Sequence, residues 1–341
     1  VKAAVFKAPG RIEVQDLPIP EPSLGEVRIK VLGCGVCGTD AHIYSGEIHN
    51  AEPPAVLGHE IYGQVDEVGD GVEGFHSGDR VVVDPFIFCG NCENCKRGEY
   101  RFCEKENFIG YQRQGGFAQY TKVPSANVYK INADIDVRDA VLVETLSTVL
   151  AGLSNLKPEA GRSFLLLGAG TVGLLWNLVL NRSLSVTLVQ TELVPMRRSK
   201  AKSQGADRVL SPKEQPLESV VRELCSQGLN YLIDATGSTA AIEEALPLLK
   251  RGGTFLSFGI CPEEERLSLS LNWFYHRQAR FLTSRRPPRE MQRAINLVEH
   301  RRLPLSDLVT GIYPLDEIER AFQRFTEAKD EEIKMMIDPW V

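Results

Sequence analysis

No stretch of the 341 residues approaches the ~18 uninterrupted apolar residues of a membrane-spanning helix. No internal repeat or low-complexity tract is present. Positive charge is not in excess. The net charge of −6 argues against a general surface for nucleic acid or anionic membrane. The opening VKAAVFKAPG carries no charged-then-apolar leader, so a cytoplasmic protein in a reducing compartment is expected. What remains is ordinary: 43% apolar and 25% charged, at a length that suits about two domains with substantial cores.

Half of the eight cysteines fall in one run, CGNCENCKRGEYRFC, as Cys89, Cys92, Cys95 and Cys103. Two residues between neighbours let a tight turn aim both sulfurs at one ion, and Gly90 and Gly98 supply the backbone for such turns. Four thiolates with no open position suit a structural zinc. An iron–sulfur cluster is the competitor, but its usual bacterial run has a three-residue final gap followed by proline. Seven residues separate Cys95 from Cys103 here.

The first 130 residues read as short β-branched strands such as VRIKVLG, EIYGQVDEVG and DRVVVDP, punctuated by Gly, Pro and Asp. They predict an irregular β-barrel or sandwich with the cysteine lobe inserted after VVVDP. From about residue 160 the pattern changes. FLLLGAG, VTLVQTE, DRVLS, YLIDATG, TFLSFGI and RFLTS are strand candidates, and the helical stretches TVGLLWNLVLN, MRRSKAKSQ, ESVVRELCSQ and IEEALPLLKR separate the first five. That alternation predicts a doubly wound parallel sheet. Arg286, Pro287 and Pro288 end the block. EMQRAINLVEH, LDEIERAFQRF and EIKMMID follow, and they are expected to return to the first domain.

Gly168, Gly170 and Gly173 spell GAGTVG between a strand and a helix. Glycine at those places allows a tight turn, close approach of the backbone to a pyrophosphate, and close helix–strand packing. With Val172, they form a candidate dinucleotide loop. Glu192 ends the next strand nineteen residues after Gly173, where a carboxylate accepts the adenosine ribose hydroxyls and repels a 2′-phosphate, favouring NAD. Arg197 and Arg198 stand nearby as possible phosphate ligands.

GCGVCGTDAHIYSGE and LGHEIYGQ hold Cys37 and the pair His59-Glu60. Imidazole, thiolate and carboxylate make an incomplete zinc shell with room for water or substrate. Each residue alone also has a plain reading: a small buried thiol, a satisfied core histidine, a salt-bridge partner.

Taken together, the GVCGTD box, the GHE box, the four-cysteine lobe and GAGTVG stand in the order and at the distances of the zinc-dependent medium-chain alcohol dehydrogenases, and the chain resembles that family from end to end. The resemblance implies α/β plus β architecture. A GroES-like catalytic domain (residues 1–148, zinc lobe 86–105) and a Rossmann NAD-binding domain (149–285) would be followed by a return segment (286–341), with the active site in the cleft between the domains. It implies two zinc ions. Cys37, His59 and Glu60 would bind the catalytic zinc, and Cys89, Cys92, Cys95 and Cys103 the structural one. Where simple alcohol dehydrogenases of the family place a third cysteine ligand, this chain has Glu144, a departure that resembles the polyol and threonine dehydrogenase branch. Glu144 would lie near zinc as ligand or close neighbour. Thr148 would pack on the nicotinamide, and Asp40 would orient His59.

The expected reaction is NAD-dependent oxidation of a secondary hydroxyl in a polyol or sugar alcohol. Thr39 and His42 would relay the proton, although they also suit a turn-capping hydroxyl and a surface imidazole. L-Threonine 3-dehydrogenase is one alternative, and a non-catalytic, cofactor-binding regulatory relative is another. Tyr44 either lines the pocket or packs its loop. Arg277, Arg280, Arg285, Arg286, Arg289 and Arg293 form a basic run, read first as an exposed or subunit-contacting face and alternatively as favouring a phosphorylated polyol. The expected partners are a small-molecule substrate and a second or further copy of the chain, as homodimer or homotetramer.

Overall fold

Buried and partly buried side chains alternate over residues 27–33 and Tyr120–Pro124, the two-residue period of strands with one face on a core. The computed structural model describes residues 1–262, 264–285, 290–327 and 331–341. Arg286, Pro287, Pro288 and Arg289 lie outside the described residues. Two units make up the chain, one of Val1–Ser147 with Pro288–Val341 and the other of Thr148–Pro287.

In the first unit, β1 (Lys2–Ala8) and β2 (Arg11–Asp16) make a three-stranded sheet with β4 (Ala55–Val56), which follows the long β3 (Glu26–Val36) and helix α1 (Gly38–Ser45). β5 (Glu60–Val68) runs antiparallel to β3, and β6 (Arg80–Val83) antiparallel to β5. β7 (Phe86–Ile87) and β8 (Asn107–Phe108) pair as a short ribbon. The cysteine lobe, with its single helical turn α2 (Glu93–Lys96), lies between them in sequence. β9 (Tyr120–Pro124) pairs with β3 and β10 (Val128–Lys130) with β6. Ala4 and Phe6 of the small sheet share one core with Val27, Ile29, Val65 and Val81 of the large one. The short α3 (Val137–Ala140) follows, and α4 (Val143–Leu156) begins in the first unit and ends in the second, which starts at Thr148.

The second unit is built on β11 (Ser163–Leu167), β12 (Thr187–Thr191), β13 (Arg208–Leu210), β14 (Leu229–Asp234), β15 (Leu249–Ser257) and β16 (Arg280–Thr283). All neighbours are parallel, in the order β13-β12-β11-β14-β15-β16, the doubly wound Rossmann order 3-2-1-4-5-6. Helices α5 (Thr171–Ser183), α6 (Pro195–Ser203), α7 (Leu217–Leu224) and α8 (Thr239–Ala245) connect the first five strands. α8 is shorter than IEEALPLLKR suggests. Pro247 has no N–H to continue the ladder, the chain tightens to a 3-10 turn over Leu246–Leu248, and β15 already begins at Leu249. α9 (Leu271–Arg277), not foreseen from sequence, is capped by Ser270, whose hydroxyl accepts from Trp273 N at 3.2 Å.

The chain then returns to the first unit through α10 (Met291–Glu299), β17 (Val309–Pro314), α11 (Ile318–Glu327) and β18 (Lys334–Asp338). β18 inserts between β3 and β17, giving the large sheet the order β10-β6-β5-β3-β18-β17. α11 places Ile318, Ala321 and Phe322 on the core, a three-to-four-residue spacing.

Candidate active site

Cys37 caps the N-terminus of α1, and His59 and Glu60 stand where the chain enters β5. β3 and β5 are neighbouring strands, so pairing of Gly35 with Glu60 brings the two motifs together. A Cβ on Gly35 would stand 1.9 Å from Glu60 Oε2, so only glycine leaves the carboxylate its place. One ligand atom from each of Cys37, His59 and Glu60 lies within 4.8 Å of the others. Sulfur, nitrogen and oxygen donors converging in a buried spot fit a zinc ion with an open position.

Neighbours fix each donor. Asp40, fully buried, places Oδ1 3.3 Å from His59 Nδ1 and accepts from Cys37 N at 3.0 Å through Oδ2. That leaves Nε2 as the nitrogen for a metal. Burial opposes charge on His59, but Asp40 and Cys37 outweigh it and raise the imidazole pKa well above its ordinary value. Glu60 accepts from Thr145 Oγ1 at 2.8 Å and is ion-paired with the buried Lys334 of β18. Lys334 also donates to Val36 O at 3.0 Å. Its pKa is raised: burial opposes the charge, and Glu60 and Cys37 prevail.

Glu144 is buried at the start of α4, outside the three-donor group. Its carboxyl pKa is pushed up to about 8, first by burial, with the charge of His59 opposing and those of Glu60 and Asp84 adding. Thr39 Oγ1 lies 3.8 Å from Cys37 Sγ. His42, one turn further along α1 and exposed, has Nδ1 2.6 Å from Glu47 Oε2. Tyr44 stacks on Phe322 at 4.9 Å and donates to Gly10 O at 3.1 Å, so it packs α1 against α11.

The four lobe cysteines also converge within 4.8 Å, with Cys89 Sγ 3.9 Å from Cys95 Sγ. A tetrahedron of zinc–sulfur bonds of about 2.3 Å has edges of roughly 3.8 Å, so the sulfurs stand at zinc spacing. Backbone N–H groups of Cys89, Cys92 and Cys95 already donate to sulfurs of the set, as thiolates require.

In the second unit the glycine loop joins β11 to α5. Gly168 has φ 91°, and a Cβ on Gly173 would meet Gly168 O at 2.2 Å. A Cβ on Gly170 would meet nothing within 4 Å, so the open space lies at the glycine expected to face a pyrophosphate. Val172 and Thr148 lie in this unit on α5 and α4. Glu192 accepts from Ala169 N at 2.7 Å, and also from Leu193 N and Val194 N. Arg198 is occupied by Glu192 O, Leu193 O and Glu214. Arg197, at the start of α6, is partly buried.

The chain matches the alcohol dehydrogenase GroES-like domain over residues 23–133 and the zinc-binding dehydrogenase domain over residues 172–300. Sorbitol dehydrogenase of Bacillus subtilis is 31% identical over 99% of this chain and 97% of its own length. The chain belongs to the zinc-binding alcohol dehydrogenase family. L-Threonine 3-dehydrogenase of Pyrococcus furiosus is 33% identical to this dehydrogenase over 95% of both chains. The crystal structure of a zinc-binding dehydrogenase from Sinorhizobium meliloti, bound to NADP, superposes with a TM-score of 0.94 at 30% identity over 99% of both chains.

Several residues of this dehydrogenase escaped the sequence reading. Lys334 was visible as a lone cation inside the buried run EIKMMID, and Gln190 as an amide inside VTLVQTE. Gln190 is fully buried on β12, donates to Gly168 O at 2.8 Å, and accepts from Asn177 of α5 at 2.6 Å, so it ties the glycine loop to strand and helix. Thr145 and Tyr111 gave no signal of their own.

Proposed function

We propose that this enzyme oxidises a secondary hydroxyl of a polyol or sugar alcohol to a ketone, with NAD as hydride acceptor. The observation that carries the reading is the carboxylate character of the metal site. Glu60 is one of the three converging donors, and Glu144 is buried close enough for His59 and Glu60 to act on its charge. Oxygen ligands are harder than thiolate, and a zinc so held can expand to five-coordinate and accept both oxygens of a vicinal diol. Ethanol offers no such pair.

Zinc bound to Cys37, His59 and Glu60 would supply Lewis acidity that lowers the pKa of the substrate hydroxyl. The chain's own residues do the rest. Asp40 holds the His59 ring, while Thr145 and Lys334 hold Glu60. Thr39, beside Cys37, would take the substrate proton at Oγ1 while releasing its own hydroxyl proton, and His42, oriented by Glu47 at the surface, would deliver a proton to solvent.

NAD rather than NADP is supported by Glu192, whose charge would meet a 2′-phosphate with repulsion, and by Arg198, whose guanidinium is occupied. Val172 and Arg197 complete the proposed cofactor contacts, with Thr148 against the nicotinamide. A homodimer or homotetramer working in the cytoplasm completes the proposal. Among the described residues, no helix is long and apolar enough to cross a membrane.

The test compares kcat/KM for pentitols, hexitols, 2,3-butanediol, L-threonine and ethanol, read at the NADH absorbance. Polyols are expected to lead. A clear win for ethanol would overturn the chelation argument. A win for L-threonine, which can chelate through amine and hydroxyl, would keep the metal chemistry and change the substrate.

A further inference from the structure

Tyr111 belongs to two surroundings at once. Burial first, then the charges of Asp40 and Cys37, raise its hydroxyl pKa well above the ordinary value, with Thr39 opposing. Its ring stands edge-on to His59 at 5.4 Å and stacks on Phe108 at 4.3 Å, so it borders the metal site. The same residue lines a cavity of about 760 Å³ formed wholly by the first unit. That size lies within the usual range of about 300–1,000 Å³ for small-molecule sites and far exceeds what a four-carbon diol would fill.

The cavity wall is rich in amides: Gln15, Asn50, Gln112 and Gln114. Gln15 is bound at both ends, by Lys7 and to Glu13, and Gln112 donates to Asn50 O. The Asn50 and Gln114 amides and Gln112 Oε1 are therefore the groups that suit a ligand hydroxyl, itself donor and acceptor. The wall's two lining cations, Arg113 and Lys7, each have a partner. Arg113 pairs with Glu26 at 3.0 Å, and Lys7 donates to Gln15 at 3.1 Å. Glu52 adds a negative charge to the same wall. With Glu26 set against Arg113 and Glu52 against Lys7, the wall has no net charge and suits a neutral chain.

We propose that this cavity is a second substrate subsite. It receives the neutral hydroxylated chain beyond the reacting diol, and the Tyr111 hydroxyl recognises the first hydroxyl past that diol. The inference rests on the polyol reading above and sharpens it. A site that hydrogen-bonds a substrate hydroxyl discriminates against an analogue lacking it, because its own polar group is then left unpaired.

The test measures kcat and KM separately for 2,3-butanediol, tetritols, pentitols, hexitols and a hexitol phosphate. It uses the zinc-loaded wild type, Tyr111→Phe, and the double variant Gln112→Ala/Gln114→Ala, with zinc content and Tm recorded for each. Wild-type kcat/KM is expected to rise with chain length. Tyr111→Phe is expected to lose about tenfold, equivalent to ~1.4 kcal/mol, on pentitols and hexitols and much less on 2,3-butanediol. The double variant should raise KM more than it lowers kcat, and increasingly so for longer chains. Losses equal at every length, or absent in both variants, would overturn the subsite while leaving the polyol reaction standing. Preference for the phosphorylated hexitol would overturn it too. No turnover of any polyol by the wild type removes the reaction and the subsite together.

Discussion

Lys334 is 3% exposed, at the start of the apolar strand β18, and its charge is sustained by Glu60. Removing one partner of a buried pair leaves the other charge uncompensated, at a cost of about 3–5 kcal/mol. Lys334→Met is therefore expected to destabilise the zinc-stripped protein by about that amount, measured by urea unfolding. The loss should shrink when zinc is added, because a dication beside Glu60 replaces the missing charge. Glu192 governs a different choice. Glu192→Ser should relax the preference for NAD over NADP by about one to two orders of magnitude, or ~1.4–2.8 kcal/mol. Equal kcat/KM for both cofactors in the unmutated enzyme would refute the assignment. Residues that met through a short motif, such as Cys89 and Cys92 or Gly168 and Gly173, could be read directly. The pairs that complete the site could not. Lys334 reaches Val36 across 298 positions and Thr145 reaches Glu60 across 85, distances at which no local pattern constrains a partner.

The lobe between β7 and β8 has one turn of helix and no large apolar side chain fully buried, so its order depends on what the sulfurs hold. Cys103→Ser should loosen it, seen as faster amide exchange over residues 89–103, since zinc binding at such a site contributes folding free energy. Desolvation, then the hydrogen bond with Cys92, pushes the Cys95 thiol up to about 12, while backbone donors bring Cys89 down to about 6. At pH 7 Cys95 is protonated and must release its proton when zinc binds. Uptake of zinc by the stripped protein is thus expected to strengthen as pH rises from 6 to 8, measured by competition with a chelator. The elements themselves were unevenly legible. All six strands of the second unit were legible as strands, but β14 and β15 begin two and five residues before the runs YLIDATG and TFLSFGI. LNWFYHR, which forms α9, has no fully buried residue and so no periodicity to show. VTGIYP, which forms β17, is broken by Gly311 and ends on a proline.

At the scale of the molecule, two separated metal sites predict two separable losses. Metal analysis is expected to find two zinc ions per chain in the wild type and one in Cys37→Ser. That variant should lose turnover and keep both its circular dichroism spectrum and its affinity for NAD. A fully active preparation holding one zinc would contradict the two-site arrangement. The large sheet of the first unit has a further consequence. β18, which carries Lys334, fills the place between β3 and β17, so strands from opposite ends of the chain are neighbours there. During synthesis on the ribosome, β3, β5 and the cysteine lobe emerge early with a gap at the sheet edge and an uncompensated carboxylate at Glu60. Residues 148–287 emerge next and have a core of their own to fold around. The nascent first unit must wait through all of that before its counter-ion arrives. A prematurely terminated product therefore carries an open strand edge for proteases and chaperones to find.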